Sequence, residues 1–343
     1  MVSGLLLLLI GAELSVRAAV RLASILRIRP LIIGLTVVAL GSSAPQMAVS
    51  LQAAFSDSTD IAVGSVIGSN IFNVLVILGL CALIIPLRVA RQVLRIDIPL
   101  MIGASLLVIG LSWNGEFSKL DGVLLLGTML GCLFIVLRQA GHGARHGHTH
   151  STEKTRSLTC IALLTSGLLL LAFGGHLLVD AAVVVAINLG LSERIIGLTL
   201  MAIVTSLPAL MTSLIAALRG ERDIAVGNVI GSNLFNLLGV LGATALISPV
   251  PLSISPNALV FDLPIMLGVA VLCLPLFYAG YRITRFEGLL LLALYLTYGL
   301  HIVSFSTGML LAERLEHLML QFILPLLGIA VAFGIVKAWR RQH

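Results

Sequence analysis

The sequence predicts an all-α integral membrane protein: two five-helix repeats of inverted topology, ten core transmembrane helices in all, plus an additional C-terminal helix. Three observations predict it. They are an apolar composition, an internal duplication with an odd number of helices per copy, and the placement of basic residues in the loops.

The chain is 59% hydrophobic and 10% charged over 343 residues, with a mean hydropathy of +1.12. No water-soluble fold hides that much apolar surface, so the solvent is lipid. A helix needs about 20 apolar residues to cross the hydrocarbon, and apolar runs between charged or Pro-containing breaks place spans near 3–25, 31–56, 60–85, 95–113 and 119–138. A second set follows near 158–188, 194–218, 223–247, 258–279 and 284–303, and one more run near 318–338 closes the chain. The first run starts without a basic leader segment and reads as a retained span.

These runs divide the chain into a first repeat over 1–138, a His-rich linker over 139–157, a second repeat over 158–303, and a C-terminal helix with a basic tail over 304–343. Residues 34–80 align without a gap on 197–243 at an offset of 163, and more than half of the positions are identical. Shared Leu says little in a membrane protein. Shared Gly, Pro, Ser, Asn and Asp are not explained by lipid exposure. The likeness extends outward: Gly11 matches Gly174, the Asp97-x-Pro99-x-Met101-x-Gly103 run matches Asp262-x-Pro264-x-Met266-x-Gly268, and Asp121-Gly122 matches Glu287-Gly288.

An odd number of spans per copy starts the second copy on the opposite side of the membrane. With the N-terminus outside, the inside loops hold Arg27 and Arg29; Arg88, Arg91 and Arg95; Arg138 to Arg156; Arg219 and Arg222; and Arg282 and Arg285. The outside loops hold chiefly Lys119 and Arg194, so an excess of positive charge inside favours N-out, C-in. The formal charge of +6 is therefore scattered as topology signals, not gathered into a nucleic-acid face.

The chemistry-bearing residues fall in four polar bursts at mid-membrane depth. The first repeat has Gly41-Ser42-Ser43-Ala44-Pro45-Gln46 and Gly68-Ser69-Asn70-Ile71-Phe72-Asn73; the second has Thr205-Ser206-Leu207-Pro208 and Gly231-Ser232-Asn233-Leu234-Phe235-Asn236. A proline inside a helix frees carbonyl oxygens, so both Pro positions are expected to break their spans. Ser69 and Asn73, and their copies Ser232 and Asn236, stand at i and i+4 and share a helix face. Small polar residues also line ordinary helix contacts in membranes. Their recurrence at symmetry-related places instead points to a substrate site between inverted repeats.

On these motifs the sequence resembles the calcium/cation antiporter superfamily, which includes the sodium/calcium exchangers. The resemblance implies two long helices sliding against a central bundle, with alternating access. It implies ion ligands at Ser42, Ser43, Gln46, Ser69 and Asn73 from one repeat, at Thr205, Ser206, Ser232 and Asn236 from the other, and at the backbone carbonyls of Ala39 and Ala202. The family's turn reads Pro-Glu in both repeats, whereas this chain has Gln46 and Ala209, and it carries Asn236 where some members have Asp. Calcium takes six to eight oxygens with anionic ones among them, and a divalent ion without countercharge at mid-membrane is strongly unfavourable. A monovalent cation such as sodium is therefore the expected substrate of the antiport, inorganic cations and the bilayer are the expected partners, and no cofactor is expected. A transport-deficient scaffold or ion sensor is the alternative.

The remaining candidates lie outside the bursts. Glu13 and His176 occupy matching places in the two halves, with Asp180 one turn beyond His176, and an ionisable residue within a span is a functional candidate. Asp97 and Asp262 precede Pro-containing helices and read as N-terminal caps. His142, His146, His148 and His150 read as a flexible cytoplasmic linker or a transition-metal sensor. The four cysteines stand singly and indicate neither a disulfide framework nor a zinc site. No nucleophile, glycine loop or metal motif accompanies His176 and Asp180, which argues against an enzyme.

Overall fold

In a computed structural model, the described residues are 2–140 apart from 27 and 57, 153–188, 201–307 apart from 279, and isolated positions between 314 and 325. The histidines of the linker, Arg194, and nearly all of the C-terminal helix expected near 318–338 lie outside them.

The chain forms helical rods in the expected order: α1 (Val2–Leu26), α2 (Pro30–Ser42 with Ala44–Phe55), α3 (Thr59–Ile84), α4 (Val93–Asn114) and α5 (Lys119–Ala140). The second half repeats them as α6 (Glu153–Asn188), α7 (Met201–Leu218), α8 (Arg222–Ile247), α9 (Ala258–Tyr278) and α10 (Arg285–Thr307). Among the described residues seven helices are long and apolar enough to span a membrane, or eight if the bent α2 counts as one.

Two short sheets display the inversion. β1 (Leu87–Arg88), between α3 and α4, pairs antiparallel with β4 (Arg282–Ile283), between α9 and α10. At the other end of α4, β2 (Glu116–Phe117) pairs with β3 (Leu252–Ser253), between α8 and α9. Helix α4 thus runs from the first sheet to the second, and its copy α9 runs from the second back to the first. Exchanging the repeats carries each sheet onto the other, which is what a pseudo-two-fold axis in the membrane plane requires.

Glycines set the closest helix approaches, and they too come in symmetric pairs. A Cβ on Gly4 would lie 3.0 Å from the Gly174 carbonyl, and one on Gly11 would lie 2.8 Å from the Gly167 carbonyl, so α1 and α6 cross antiparallel with their backbones nearly touching. The pairs Gly79–Gly288 and Gly122–Gly242 hold α3 on α10 and α5 on α8 in the same manner. Burial grades outward. The apolar segments of α3 and α8 are 83% and 94% buried, whereas that of α5 is 22% buried, which leaves its remaining face to lipid.

Two local expectations are corrected. Helix α2 bends by 41° between Ser42 and Ala44, as expected of its proline, but α7 runs unbroken from Met201 to Leu218 with Pro208 inside it. The matching positions differ just before the turn, where Gly41 in α2 frees the backbone and Val204 in α7 stiffens it. Asp97 and Asp262 do not cap helices either. Each ends a π-helical turn, Val93–Asp97 and Ala258–Asp262, through which the helix continues past the following proline. Asp97 is fully buried and both its carboxyl oxygens lack partners among the described residues, while Asp262 accepts a 3.0 Å hydrogen bond from the Tyr298 hydroxyl.

Candidate functional site

The four polar bursts converge where α2, α3, α7 and α8 meet. α6 crosses over them, and a Cβ on its Gly175 would lie 3.1 Å from Pro45 Cγ and 3.2 Å from Pro208 Cγ. Ser42, Ser43, Gln46, Ser69, Asn73, Thr205, Ser206, Ser232 and Asn236 are all buried, as are Ala39 and Ala202.

Gln46 organises one half of the site. Its amide Nε2 donates to Ser50 Oγ (3.0 Å) and Ser65 Oγ (2.9 Å), which fixes the orientation of the carboxamide. Its Oε1 accepts from Ser69 Oγ (2.9 Å) and from Thr205 Oγ1 (2.6 Å) of the other repeat. The Ala202 carbonyl lies 3.2 Å from Ser69 Oγ and 3.4 Å from Thr205 Oγ1, and these two hydroxyls are 3.4 Å apart. Four neutral oxygens from both repeats, on Gln46, Ser69, Thr205 and Ala202, therefore face one another.

The other half has the same plan. Ser42 Oγ, the copy of Thr205, lies 3.2 Å from the Ala39 carbonyl, 3.3 Å from Ser232 Oγ and 3.0 Å from Asn228 Oδ1. Among the described residues neither cluster includes the hydroxyls of Ser43 and Ser206, which are buried beside the prolines.

Asn73 and Asn236 sit one turn below, at the start of matching π-helical turns, Asn73–Leu78 and Phe235–Val240. Asn73 Nδ2 donates to Asn233 Oδ1 (2.9 Å), and Asn233 Nδ2 reaches the Asn70 carbonyl (3.3 Å). The Oδ1 atoms of Asn73, Asn236 and Asn70 are buried without a hydrogen-bond partner among the described residues. An unpaired amide oxygen in the interior is costly, and a wider π turn is a common device for turning side chains toward a functional site. Sequence reasoning passed over Ser50, Ser65, Ser213 and Asn228, and named Asn233 within a polar burst without giving it a role. Of these, Ser65 and Asn228 could have been noticed as a polar mismatch at equivalent places in the alignment.

The ionisable candidates lie elsewhere. Glu13 forms ion pairs with Arg17, one turn along α1 at 2.5 Å, and with Arg219 at the end of α7. His176 and Asp180 pair at 2.9 Å, exposed by 68% and 60%, beside a cavity of about 360 Å³ between the second part of α2 and α6. Among the described residues no three His, Cys, Asp or Glu side chains group as a metal site, and the cysteines are buried and free.

A duplicated, inverted frame around a buried cluster of neutral oxygens fits a secondary transporter, and sequence comparison decides the family. The family model described as sodium/calcium exchanger protein matches residues 1–138 and 159–303. The chain belongs to the sodium/calcium exchanger family. It is 40% identical over 280 residues to the inner membrane protein YrbG of Escherichia coli (strain K12), covering 79% of this chain and 86% of that protein. It is 42% identical over 254 residues to the putative antiporter CaxA of Alkalimonas amylolytica, covering 72% and 79%. Structures of the sodium-calcium exchanger NCX_Mj superpose with a TM-score of 0.75 at 30% identity, covering 89% of this chain and 96% of theirs. As a member of this family it is an integral membrane cation antiporter of the sodium/calcium exchanger type.

Proposed function

We propose that this protein exchanges a monovalent cation, sodium foremost, on at least one arm of its cycle, and that calcium is a poor substrate. The observation behind this reading is the donor set. Among the described residues every side-chain oxygen in the two clusters belongs to a hydroxyl or a carboxamide, with backbone carbonyls beside them and no carboxylate. Neutral oxygens suit a dehydrated monovalent cation, as in selectivity filters and the unwound helices of transporters. A divalent ion held there would lack countercharge in a low-dielectric interior.

In this reading Ser42, Gln46, Ser69, Thr205, Ser232 and the carbonyls of Ala39 and Ala202 form the first coordination layer, with Ser43, Ser206, Asn73 and Asn236 completing it during the cycle. The excess of basic residues in one set of loops supports an N-terminus outside and a C-terminus in the cytoplasm, in the plasma membrane of a prokaryote.

The deciding experiment reconstitutes the full chain in sealed vesicles and measures sodium, potassium and calcium flux under imposed gradients. Saturable sodium exchange with calcium uptake at least about tenfold slower is the expected result. Calcium-for-sodium exchange at comparable rates would overturn the ion assignment. No response to any cation gradient would favour the alternative, a member that has lost transport and acts as a scaffold or ion sensor.

A further inference from the structure

The repeat alignment leaves one gap in the chemistry. Position 209, the copy of Gln46, is alanine, so the second half-site has only a methyl group where the first has its organising carboxamide. The structure assigns that role to Asn228, and we infer that Asn228 is a specificity-determining ligand of the cation. This inference rests on the cation-site reading above.

Asn228 repeats the bonding of Gln46 although it sits on a different helix. Gln46 Nε2 donates to Ser50 Oγ at 3.0 Å, and Asn228 Nδ2 donates at 2.9 Å to Ser213 Oγ, the copy of Ser50. Gln46 Oε1 accepts from Thr205 at 2.6 Å, and Asn228 Oδ1 accepts at 3.0 Å from Ser42, the copy of Thr205. The two amides thus occupy pseudo-equivalent places, each facing a hydroxyl that approaches a backbone carbonyl, Ala202 in one half and Ala39 in the other.

The exchange is reciprocal in size. Gln46 on α2 faces the small Ser65 on α3. In the second half the small residue, Ala209, is on α7, and the amide, Asn228, is on α8 at the copy of Ser65. Asn228 Nδ2 lies 3.1 Å from the Ala209 carbonyl and the residue is 0% exposed, so it covers the alanine and fills the space that a longer side chain at 209 would need. An amide oxygen has two lone pairs. With one on Ser42, the other remains for a cation shared with Ser42, Ser232 and the Ala39 carbonyl.

The test uses the full chain in detergent and in vesicles, with sodium and calcium chlorides as the probes. Asn228→Ser should raise the sodium Kd, read from ion-dependent thermal unfolding, by about tenfold or more. Adding Ala209→Gln to that variant recreates the first-repeat arrangement and should return the Kd to within about threefold of the original. Asn228→Asp keeps the size, with its second oxygen facing the Ser213 hydroxyl and the Ala209 carbonyl in place of Nδ2, and decides the matter if the serine variant does not fold: in the folded aspartate variant calcium affinity relative to sodium should rise by about a hundredfold. A folded Asn228→Ser protein with a sodium Kd within about twofold of the unsubstituted chain would overturn the inference alone, as would an unchanged calcium-to-sodium ratio in Asn228→Asp. An unsubstituted chain that responds to neither ion would overturn the cation-site reading and this inference with it.

Discussion

Replacing Gln46 by Glu places one negative charge into the site while leaving its shape unchanged. All four partners of the Gln46 amide are hydroxyls: Ser50, Ser65, Ser69 and Thr205. Ser50 and Ser65 accept from Nε2 now, but a hydroxyl rotates to donate, so a carboxylate can be received without an orphaned acceptor. A cation bound by Ser69 and Thr205, which lie 2.9 and 2.6 Å from the amide oxygen, would stand within about 4 Å of the new charge. At that distance and an effective dielectric of about 20, a unit pair is worth about 4 kcal/mol and a divalent partner about twice that. The cost of burying the carboxylate is common to both ions and cancels in their ratio. Calcium should therefore gain on sodium by about 4 kcal/mol, roughly a thousandfold in relative affinity. Competition of calcium against sodium-dependent thermal stabilisation, followed by radioactive calcium uptake into vesicles, measures it. A folded, sodium-responsive Gln46→Glu protein whose calcium-to-sodium ratio moves by less than about threefold would refute the placement of the ion beside this side chain.

Gly231→Ala should fail to fold or lose at least about 3 kcal/mol, since its Cβ would lie 2.3 Å from the Leu35 carbonyl and neither backbone can retreat; detergent-resistant yield and thermal midpoint report this. Asp97→Leu should be neutral or raise the midpoint by a few degrees, because it removes a fully buried carboxyl with no partner among the described residues, a group of a kind that costs about 1–3 kcal/mol; a large drop would mean that Asp97 has a partner in another conformation. Glu13→Gln removes an ion pair between α1 and the end of α7 whose side chains are 29% and 39% exposed, so the loss should stay below about 1 kcal/mol and shrink in high salt. A salt-independent collapse of transport in Glu13→Gln would instead tie Glu13 to the ion cycle.

The fold was legible because inversion leaves marks that lipid exposure cannot imitate. Gly11 and Gly174 align in sequence, and in space they abut Gly167 and Gly4, which align with each other at the same offset, so the two backbone contacts obey the symmetry of the alignment. The ranges of the rods followed from hydropathy for the same reason. What local rules missed was backbone that departs from the α ladder without ending it. An Asp before an x-Pro pair looks like a cap, but at Asp97 and Asp262 a π turn absorbs the proline, and no short-range signal separates the two outcomes. Pro208 shows the limit from the other side. Its effect depended on whether Gly or Val stood four residues earlier, a difference visible in the alignment but not decisive without the packing of α6 against both prolines.

The buried polar clusters were legible in composition and only partly in identity. An alignment column assumes that a place in the packing stays with its position when a repeat is copied, and the buried hydroxyls of Ser42, Ser69, Thr205 and Ser232 obey that assumption. Gln46 does not. Its carboxamide reappears in the second half on the facing helix, because two side chains pointing at one space are constrained in their sum and not individually: Gln with Ser in one half, Ala with Asn in the other. Counting acids and amides at position 209 therefore makes the site look emptier than it is. The loss of negative charge is real, since neither Gln46 nor Asn228 is a carboxylate, but the oxygens in that half remain. The two halves stay balanced in amide and hydroxyl oxygens while differing in which helix supplies the amide.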